Sequence, residues 1–244
     1  MSIRQRKLVK AMEDCKIGYD YTVRNAGGSI VQFLYGEDGM DASKIESQKV
    51  LYIESNFIKI KNQYLLTKED KLEFFLDKAT IKEFTNIKDW EIKLRAHFDL
   101  ILKDREYIIK KMFHNKKETN VLYPISFMRL INNALAVFKD KGMSDLNPMY
   151  VLDTIDKLSN ELYINKINRG NMLFQMLLRC YLSPKKVMTE YKFNKATFDY
   201  IIQQVKLKFY DAIAHPSEMV GVIAAQSIGE PSTQIFKLVW NRQL

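Results

Sequence analysis

The spacing of apolar and polar residues along the chain predicts mostly α-helices, with one small β-hairpin near the start. A first helix is predicted from Arg4 to Ile17, because apolar residues recur on one of its sides at helical spacing. These apolar residues are Leu8, Val9, Met12 and Ile17, and the polar positions include Arg6, Lys7 and Lys10. The prediction is therefore an amphipathic helix with a basic face.

Two short runs rich in β-branched and aromatic residues follow, Tyr19 to Arg24 and Ile30 to Tyr35. The Asn-Ala-Gly-Gly sequence at 25–28 separates them and favours a tight turn, since glycine tolerates positive φ. We expect a β-hairpin here. A second turn is predicted at 36–41, where Asp41 can cap a short helix that begins at the next residue.

From about Lys68 to Ile213 the pattern is helical, with few prolines or glycines inside the predicted helices. The clearest helix runs from Lys195 to Ile213, where one apolar stripe repeats at three- and four-residue spacing, and Asn194 is its predicted N-cap. Residues 171–182 are apolar on nearly all sides and are expected to be buried. Ser183-Pro184 then predicts a new helical turn, with the serine as cap and the proline at the first helical position.

The stretch EMVGVIAAQSIGEPSTQ at 218–234 predicts a helix that breaks and then restarts. Pro216 suits the first position of this helix, and the small glycine and alanines that follow allow neighbouring backbones to come close. Gly229 supplies a left-handed C-terminal position and Pro231 cannot continue a helix, so we expect a sharp break and a restart at 232–234. On these residues alone, a core helix followed by a turn is the simpler interpretation.

Composition adds an electrostatic indication. Lys and Arg outnumber Asp and Glu by 38 to 29 in 244 residues, and the formal charge of +9 favours acidic partners such as nucleic acid. Cys15 and Cys180 are far apart and follow no CxxC pattern, so a reduced intracellular compartment is the simplest interpretation. Cys180 lies in an apolar run, where a buried thiol is expected rather than a nucleophile. No apolar stretch is long enough to cross a bilayer.

Three motifs resemble one protein family, and they occur along the chain in the order that the family has. AAQSIGEP at 224–231, with Thr and Gln close behind it, resembles the start of the trigger loop in the largest subunit of multisubunit DNA-directed RNA polymerases. QRKLVKAMED at 5–14 is similar to the carboxyl-terminal part of that subunit's bridge helix. YGEDGMDA at 35–42 resembles the family's segment after the bridge helix. The chain is therefore identified as resembling an internal part of this subunit.

The resemblance covers roughly residues 5–234, strongly at both ends and loosely from about 50 to 160. Between the anchors, 177–179 and 187–198 look like the end of the helical foot region, and HPSEMVG at 215–221 looks most like the eukaryotic polymerase II branch and its relatives in large DNA viruses. The resemblance implies a mainly α fold with a small β-hairpin, within a large multidomain subunit. The implied segments are the end of the bridge helix at 1–17, a cleft-like segment at 18–67, a foot-like helical domain at 68–214, the start of the trigger loop at 215–234 and a non-matching tail at 235–244.

The resemblance also implies roles for single residues. Gln234 matches the glutamine that reaches the sugar of the incoming nucleotide, and an amide suits a hydroxyl partner because it both donates and accepts. Cations on the bridge-helix part lie near the template backbone in the family and position it without reading its sequence. These cations are Arg6, Lys7 and Lys10, and the residues beside the hinge of the loop are Gly229, Glu230 and Pro231. On charge pattern alone, the basic face can equally be a solvated surface.

The metal site of the family is missing from this sequence. In the family two metals are held by three aspartates in an Asn-Ala-Asp-Phe-Asp-Gly-Asp loop, so Mg²⁺ is expected in the complete enzyme and no cofactor within this fragment. The acidic turn formed by Glu37, Asp38 and Asp41 resembles a non-catalytic segment, and aspartates favour turns for capping reasons. The three histidines, His97, His114 and His215, show no ligand spacing, so each is expected to be a surface residue or a hydrogen-bonded core residue.

Two further positions depart from the family. Ser217 stands where the family usually has Gly, and Asn241 stands where a histidine that folds over the nucleotide phosphates is expected. Met1 also falls inside what the family has as a continuous bridge helix. We therefore expect one piece of a largest-subunit gene interrupted by introns or inteins, with 235–244 read through from a boundary.

The expected function is support of template positioning and nucleotide addition within a DNA-directed RNA polymerase, the isolated piece being inactive. Expected partners are the remainder of the largest subunit, the second-largest subunit, the DNA template, the RNA product and nucleoside triphosphates, with no membrane. The expected location is intracellular, in the nucleus, or in a virion or viral factory if the gene is viral. The alternative is a free helical binding or regulatory protein derived from that subunit. An independent enzyme has least support, because the sequence shows no metal cluster, nucleophile–base pair or phosphate loop.

Overall fold

The fold is known from a computed structural model that describes residues 3–67, 70, 72–114, 119–138, 142–162 and 172–241, with side chains inside 5–231. It is mainly helical with few strands, as predicted. The α-helices are α1 (Ile3–Met12), α2 (Phe57–Tyr64), α3 (Lys78–Thr85), α4 (Trp90–Tyr107), α5 (Phe127–Val137), α6 (Pro148–Glu161), α7 (Met172–Tyr181), α8 (Pro184–Lys186), α9 (Lys195–Asp211) and α10 (Val220–Asn241). The strands are β1 (Lys16–Ile17), β2 (Val23–Arg24), β3 (Ile30–Gln32), β4 (Glu46–Lys49) and β5 (Asn120–Tyr123). Two compact units result: a first unit of Met1–Ala42 with Ala212–Leu244, and a second unit of Ser43–Asp211.

The predicted β-hairpin is confirmed in the first unit, with shorter strands than expected. Strands β2 and β3 pair in antiparallel fashion, and β1 pairs with the other side of β2. At the turn, the Asn25 N–H donates to the Ser29 carbonyl and the Gly28 N–H donates to the Asn25 carbonyl. Gly28 has φ of 77°, the left-handed conformation that favoured glycine here.

The first helix ends at Met12 and not at Ile17, so the predicted end is wrong. Ile17 lies instead in β1, where it pairs with Val23 and is 2% exposed in a small apolar cluster with Ala214 and Val220. The acidic residues that follow Met12 also disfavour a longer helix, because negative charge is unfavourable at a helix C-terminus. Partners distant in sequence therefore override the local apolar spacing.

Three residues of the second predicted turn adopt the left-handed backbone conformation. They are Gly36 at φ 60°, Glu37 at φ 65° and Gly39 at φ 69°. The helix expected after it is only a 3₁₀ turn, Ala42–Lys44, and the capping role of Asp41 stays a prediction. The main chain of this turn is fastened to the segment between α9 and α10. The Ala214 N–H donates to the Gly39 carbonyl at 3.0 Å.

In the second unit, α7 lies in the core, which confirms the predicted burial of most of the run at 171–182. Met172 is the exception, at 53% exposed, and Asn171 lies outside the described residues. The Phe174 ring on α7 lies 5.9 Å from that of Tyr123, 6.0 Å from Phe127 and 5.3 Å from Phe209, between ring centroids. These distances are typical of packed aromatic pairs. One side chain thus joins β5, α5 and α9 to α7.

The region 68–213 is not helical throughout, contrary to the sequence pattern. Strand β5 pairs in antiparallel fashion with β4, from Glu46 opposite Tyr123 to Lys49 opposite Asn120. Each strand has only four residues, and their partners are more than 70 positions apart. Such a short non-local pair leaves little periodic signal in the sequence.

The last helix of this unit confirms the predicted start and corrects the predicted end. Helix α9 begins at Lys195, and the Asn194 carbonyl accepts from the Phe198 N–H at 3.0 Å, so Asn194 occupies the N-cap position. The Asp145 carboxylate accepts from the Lys195 N–H at 2.8 Å. Ser183 and Pro184 likewise take the predicted cap and first-turn positions of α8, without a side-chain cap bond from the serine. Helix α9 stops at Asp211 because Ile213 forms a β-bridge with Met40.

Candidate functional site

Helices α1 and α10 lie directly against each other in the first unit, and the contact is made through glycines. A Cβ atom on Gly221 would lie 1.8 Å from the Met12 carbonyl oxygen, and a Cβ on Gly229 would lie 2.7 Å from Cγ of Gln5. Ala225, between the two glycines, is fully buried. Because residue 5 is opposite residue 229 and residue 12 is opposite residue 221, the two helices run antiparallel.

Backbone hydrogen bonds fasten the start of α10 to the chain that follows α1. The Ser217 N–H donates to the Ile17 carbonyl at 2.7 Å, and the Ile17 N–H donates to the Glu218 carbonyl at 3.1 Å. The Gly221 N–H, one of the four donors that the first turn of a helix leaves without intrahelical partners, donates to the Cys15 carbonyl at 3.1 Å. These bonds also explain why α10 begins at Val220 and not, as predicted, at Pro216.

Helix α10 is continuous from Val220 to Asn241, so the predicted break at 229–231 is wrong for this conformation. Gly229 is buried in the helix and does not take the left-handed conformation that a C-terminal cap requires. Pro231 lies inside the helix, where its missing N–H leaves the Ser227 carbonyl without its usual partner four residues on. Ser227 is exposed, so water can take that place. Packing of Gly229 against α1 therefore outweighs the local breaking signal.

The three predicted cations all lie on the exposed side of α1, while Leu8 and Val9 are partly buried. This confirms the amphipathic pattern. Lys10 forms an ion pair with Glu13 at 2.9 Å, and the hydrogen bond to that carboxylate raises the pKa of Lys10. Arg6 and Lys7 form no ion pair with any side chain described in the structure. The face retains two charges that can meet an external anion.

The other trigger-loop residues are placed only in part. Gln234 lies in α10, but its side chain is outside the described set, so its role stays a prediction. Glu230 and Pro231 are exposed on the helix surface, and Gly229 is buried. Asn241 is the last residue of the helix.

The acidic turn has the properties of a structural element. Oδ1 of Asp38 accepts from the Met40 N–H at 3.0 Å, and burial raises the pKa of this carboxyl group. A raised pKa disfavours the ionised form that a metal ligand needs. Across the part of the chain that the structure describes, no three His, Cys, Asp or Glu residues converge as metal ligands.

The predicted burial of Cys180 and the predicted surface or core positions of the histidines are confirmed with one correction, and the compartment inferred from the cysteines stays a prediction. Cys180 is fully buried, and burial raises the pKa of its thiol, which keeps it unreactive. His114 and His215 are exposed. His97 is a core residue 7% exposed, but its Nε2 atom finds no hydrogen-bond partner among the described residues, contrary to the expectation of a hydrogen-bonded core histidine.

Comparison with known proteins decides the family. Residues 40–212 match the family described as RNA polymerase Rpb1, domain 6. The chain belongs to this family. It is similar to two proteins of Trypanosoma brucei brucei, the DNA-directed RNA polymerase II subunits RPB1-A and RPB1-B, each 31% identical over 265 aligned positions. These alignments cover 95% of this chain and 15% of each relative.

The predicted resemblance is therefore confirmed, and this Rpb1-family chain corresponds to a fragment of the largest polymerase subunit. It spans about 15% of the length of the curated relatives that it matches. The residues matched by domain 6 include the whole second unit, whereas α1 and α10 both lie outside them. Among the described residues, no helix combines the length and apolar composition needed to cross a membrane.

Within the Rpb1 domain 6 region, sequence reasoning missed a buried ion pair. The Arg179 guanidinium on α7 makes two hydrogen bonds to the Asp104 carboxylate on α4, and their side chains are 15% and 9% exposed. A signal for Asp104 was present in the sequence. It lies three residues after Ile101 and four before Ile108, so helical spacing places it on the buried side of α4.

Proposed function

We propose that this chain contributes to nucleotide addition by DNA-directed RNA polymerase, as part of the catalytic largest subunit. The observation that carries this proposal is the α1–α10 pair. A helix with exposed cations, similar to the bridge helix, packs through two glycines against a helix with the AAQSIGEP motif. The two motifs are more than 200 residues apart in sequence, and the fold places them side by side.

The contribution of this chain is positioning. In-line phosphoryl transfer by such enzymes depends mainly on alignment of the reacting groups and on charge stabilisation by metal ions. The described residues do not provide a set of metal ligands, so we derive no metal-dependent step from this chain. Mg²⁺ belongs to the complete enzyme in this proposal.

We assign the exposed cations of α1 to the phosphate backbone of the nucleic acid. Arg6 and Lys7 lie on one exposed face without an ion pair to a described side chain, and phosphate contacts fix register without reading bases. Lys10 forms an ion pair with Glu13 and therefore contributes less to phosphate binding. Each phosphate contact also makes binding more dependent on salt concentration.

We assign Gln234 to the sugar of the incoming nucleoside triphosphate. Its amide can both donate to and accept from a hydroxyl group. The segment Gly229 to Pro231 is the proposed place where α10 opens to release the nucleotide, because Pro231 removes one helical hydrogen bond there. The continuous helix is then the nucleotide-bound form.

The proposed partners follow from the same assignment. They are the remainder of the largest subunit, the second-largest subunit, template DNA, product RNA and nucleoside triphosphates. The proposed location is the nucleus, in keeping with the polymerase II relatives. A gene carried by a large DNA virus would place it in a virion or viral factory.

The test uses the assembled polymerase that contains this sequence. Gln234→Ala is expected to lower kcat/KM for ribonucleotides about 5- to 100-fold and to reduce the preference for ribo- over deoxyribonucleotides, since it removes one polar contact. Gln203→Ala, at an exposed position of α9, is the matched control. Equal activity of the two variants would contradict the proposal. Purification of the chain only as a free 28.7 kDa protein, without a second large subunit, would favour the binding-protein alternative.

A further inference from the structure

The residues of α10 that face α1 are glycine and alanine, which have the smallest side chains. Positions 221, 225 and 229 recur every four residues and carry Gly, Ala and Gly, so they form one narrow, slowly turning face of the helix. All three are buried. Small residues at this spacing allow two helix backbones to approach closely.

The two glycines do not tolerate a methyl group equally. At Gly221 the added Cβ would lie 1.8 Å from the Met12 carbonyl oxygen and 2.9 Å from its carbon, both backbone atoms that cannot rotate away. At Gly229 it would lie 2.7 Å from Cγ, 3.2 Å from Cβ and 3.4 Å from Cα of Gln5. Carbon atoms pack at about 3.5–4.0 Å. The second clash is thus milder and belongs mainly to one side chain.

The two contacts are spaced so that both helices stay in register. The seven residue steps from Gln5 to Met12 span about 10 Å of helix, and the eight steps from Gly221 to Gly229 span about 12 Å. The backbone bonds of Ser217 and Gly221 fix the near end of α10 to the Cys15–Ile17 segment. Gly229 is then the contact that sets the distance between the helices at the far end.

We propose that Gly229 is a positioning residue for nucleotide addition, acting through its contact with Gln5. The inference rests on the proposed function above and adds that the contact between Gly229 and Gln5 sets the position of Gln234. Gly229 precedes Gln234 by five residues, about 7 Å along the helix. A methyl group at 229 therefore moves the part of α10 that carries Gln234 away from α1, and a misplacement of about 1 Å can reduce a reaction rate as much as 100-fold.

A purely structural role for residue 229 predicts a different set of results. Alanine is a much better helix former than glycine, so Gly229→Ala on its own favours the continuous helix. If helix stability alone changes the rate, Ser227→Ala, which also raises helix propensity, changes it in the same direction, and Gln5→Ala does not restore the activity of Gly229→Ala. The contact with Gln5 predicts a loss of activity that Ser227→Ala does not share and that Gln5→Ala relieves.

The decisive experiment measures single-nucleotide addition by the assembled polymerase. We expect Gly229→Ala to lower kcat at least about tenfold with a smaller change in KM, and the double variant Gln5→Ala/Gly229→Ala to recover most of this loss, because Gln5→Ala removes the clashing Cγ atom. Ser227→Ala is the matched control. It also raises helix propensity, but on an exposed position two residues away, and it should behave like the parent.

Each outcome decides the matter separately from the proposed function. Gly229→Ala as active as Ser227→Ala, or inactive without recovery in the double variant, would overturn the contact mechanism. If Gly229→Ala fails to assemble, recovery of assembly by Gln5→Ala supports the contact and continued failure overturns it. If Gln234→Ala is instead as active as its control Gln203→Ala, the proposed function is contradicted, whatever the result at residue 229.

Discussion

Nε of Arg179 donates to Oδ2 of Asp104 at 2.6 Å, and Nη2 of the same side chain donates to Oδ1 at 3.0 Å. This two-bond geometry joins the central helix α7 to α4 inside the Rpb1 domain 6 region. Guanidinium and carboxylate groups match in this planar arrangement, which lysine cannot reproduce. Both side chains are largely withdrawn from water.

The first prediction is that this pair is essential to the stability of the second unit. Replacing one partner leaves the other as an uncompensated buried charge, so Asp104→Ala is expected to lower the free energy of unfolding by about 3–5 kcal/mol. Urea unfolding of the 244-residue chain, followed by circular dichroism, measures the change. Glu161→Ala is the control, because its pair with Lys206 is much more exposed and should contribute less than about 1 kcal/mol. Equal effects of the two substitutions would contradict the assignment.

The second prediction concerns pH and His97. Burial, with the nearby Arg179 charge, lowers the pKa of His97 from 6.5 to about 4. Below pH 6.5 the unfolded chain therefore binds a proton that the folded chain does not, and stability falls as the pH drops from about 6.5 to 4. At pH 5 the expected loss from this one group is about 2 kcal/mol.

The measurement compares unfolding free energies at pH 7 and pH 5. His97→Leu should remove most of this pH dependence, whereas His215→Gln, at an exposed position, should leave it as in the parent chain. An unchanged pH profile in His97→Leu would show that other groups cause the acid instability.

The third prediction is that Ser217→Gly stabilises the chain. Ser217 has φ of 73°, a left-handed conformation that costs a residue with a side chain about 1–2 kcal/mol relative to glycine. Greater freedom of glycine in the unfolded chain offsets part of this gain, so a net stabilisation of about 0.5–1 kcal/mol is expected. Thermal unfolding measures it. Ser227→Gly, within α10, is the matched control and should destabilise by about 0.5 kcal/mol.

Ser217 also shows what the sequence could and could not predict. Local pattern was sufficient for the start of α9 and its buried stripe and for the burial of α7, because apolar residues recur along the 17 residues of α9 and the 10 residues of α7. The end of α1 and the start of α10 were wrong because Ile17 bonds to Ser217 and Glu218, which are 200 residues away. No window of neighbouring residues contains that information.

The site shows the same division. The exposed cations of α1 and the small residues of α10 were recognised from spacing and motif, and the structure brings their helices together. The continuous path of α10 through Pro231 was not predicted, because the local signals at Gly229 and Pro231 both favour a break. The contact between Gly229 and Gln5 outweighs them, and no pattern near residue 229 indicates its partner.

The last prediction tests the α1–α10 contact without reference to catalysis. Gly221→Ala places a methyl group against the Met12 carbonyl, and since neither backbone atom can rotate away, the helices must separate. The overpacking is expected to cost about 1–3 kcal/mol of stability in the first unit. Hydrogen exchange of the α1 amides should become faster, while that of α7 amides in the second unit should stay unchanged. Ser227→Gly is the control: it weakens α10 through helix propensity at an exposed position and creates no clash, so the cost should be only about 0.5 kcal/mol. Unchanged α1 exchange in Gly221→Ala would mean that α1 does not lie against α10 in solution.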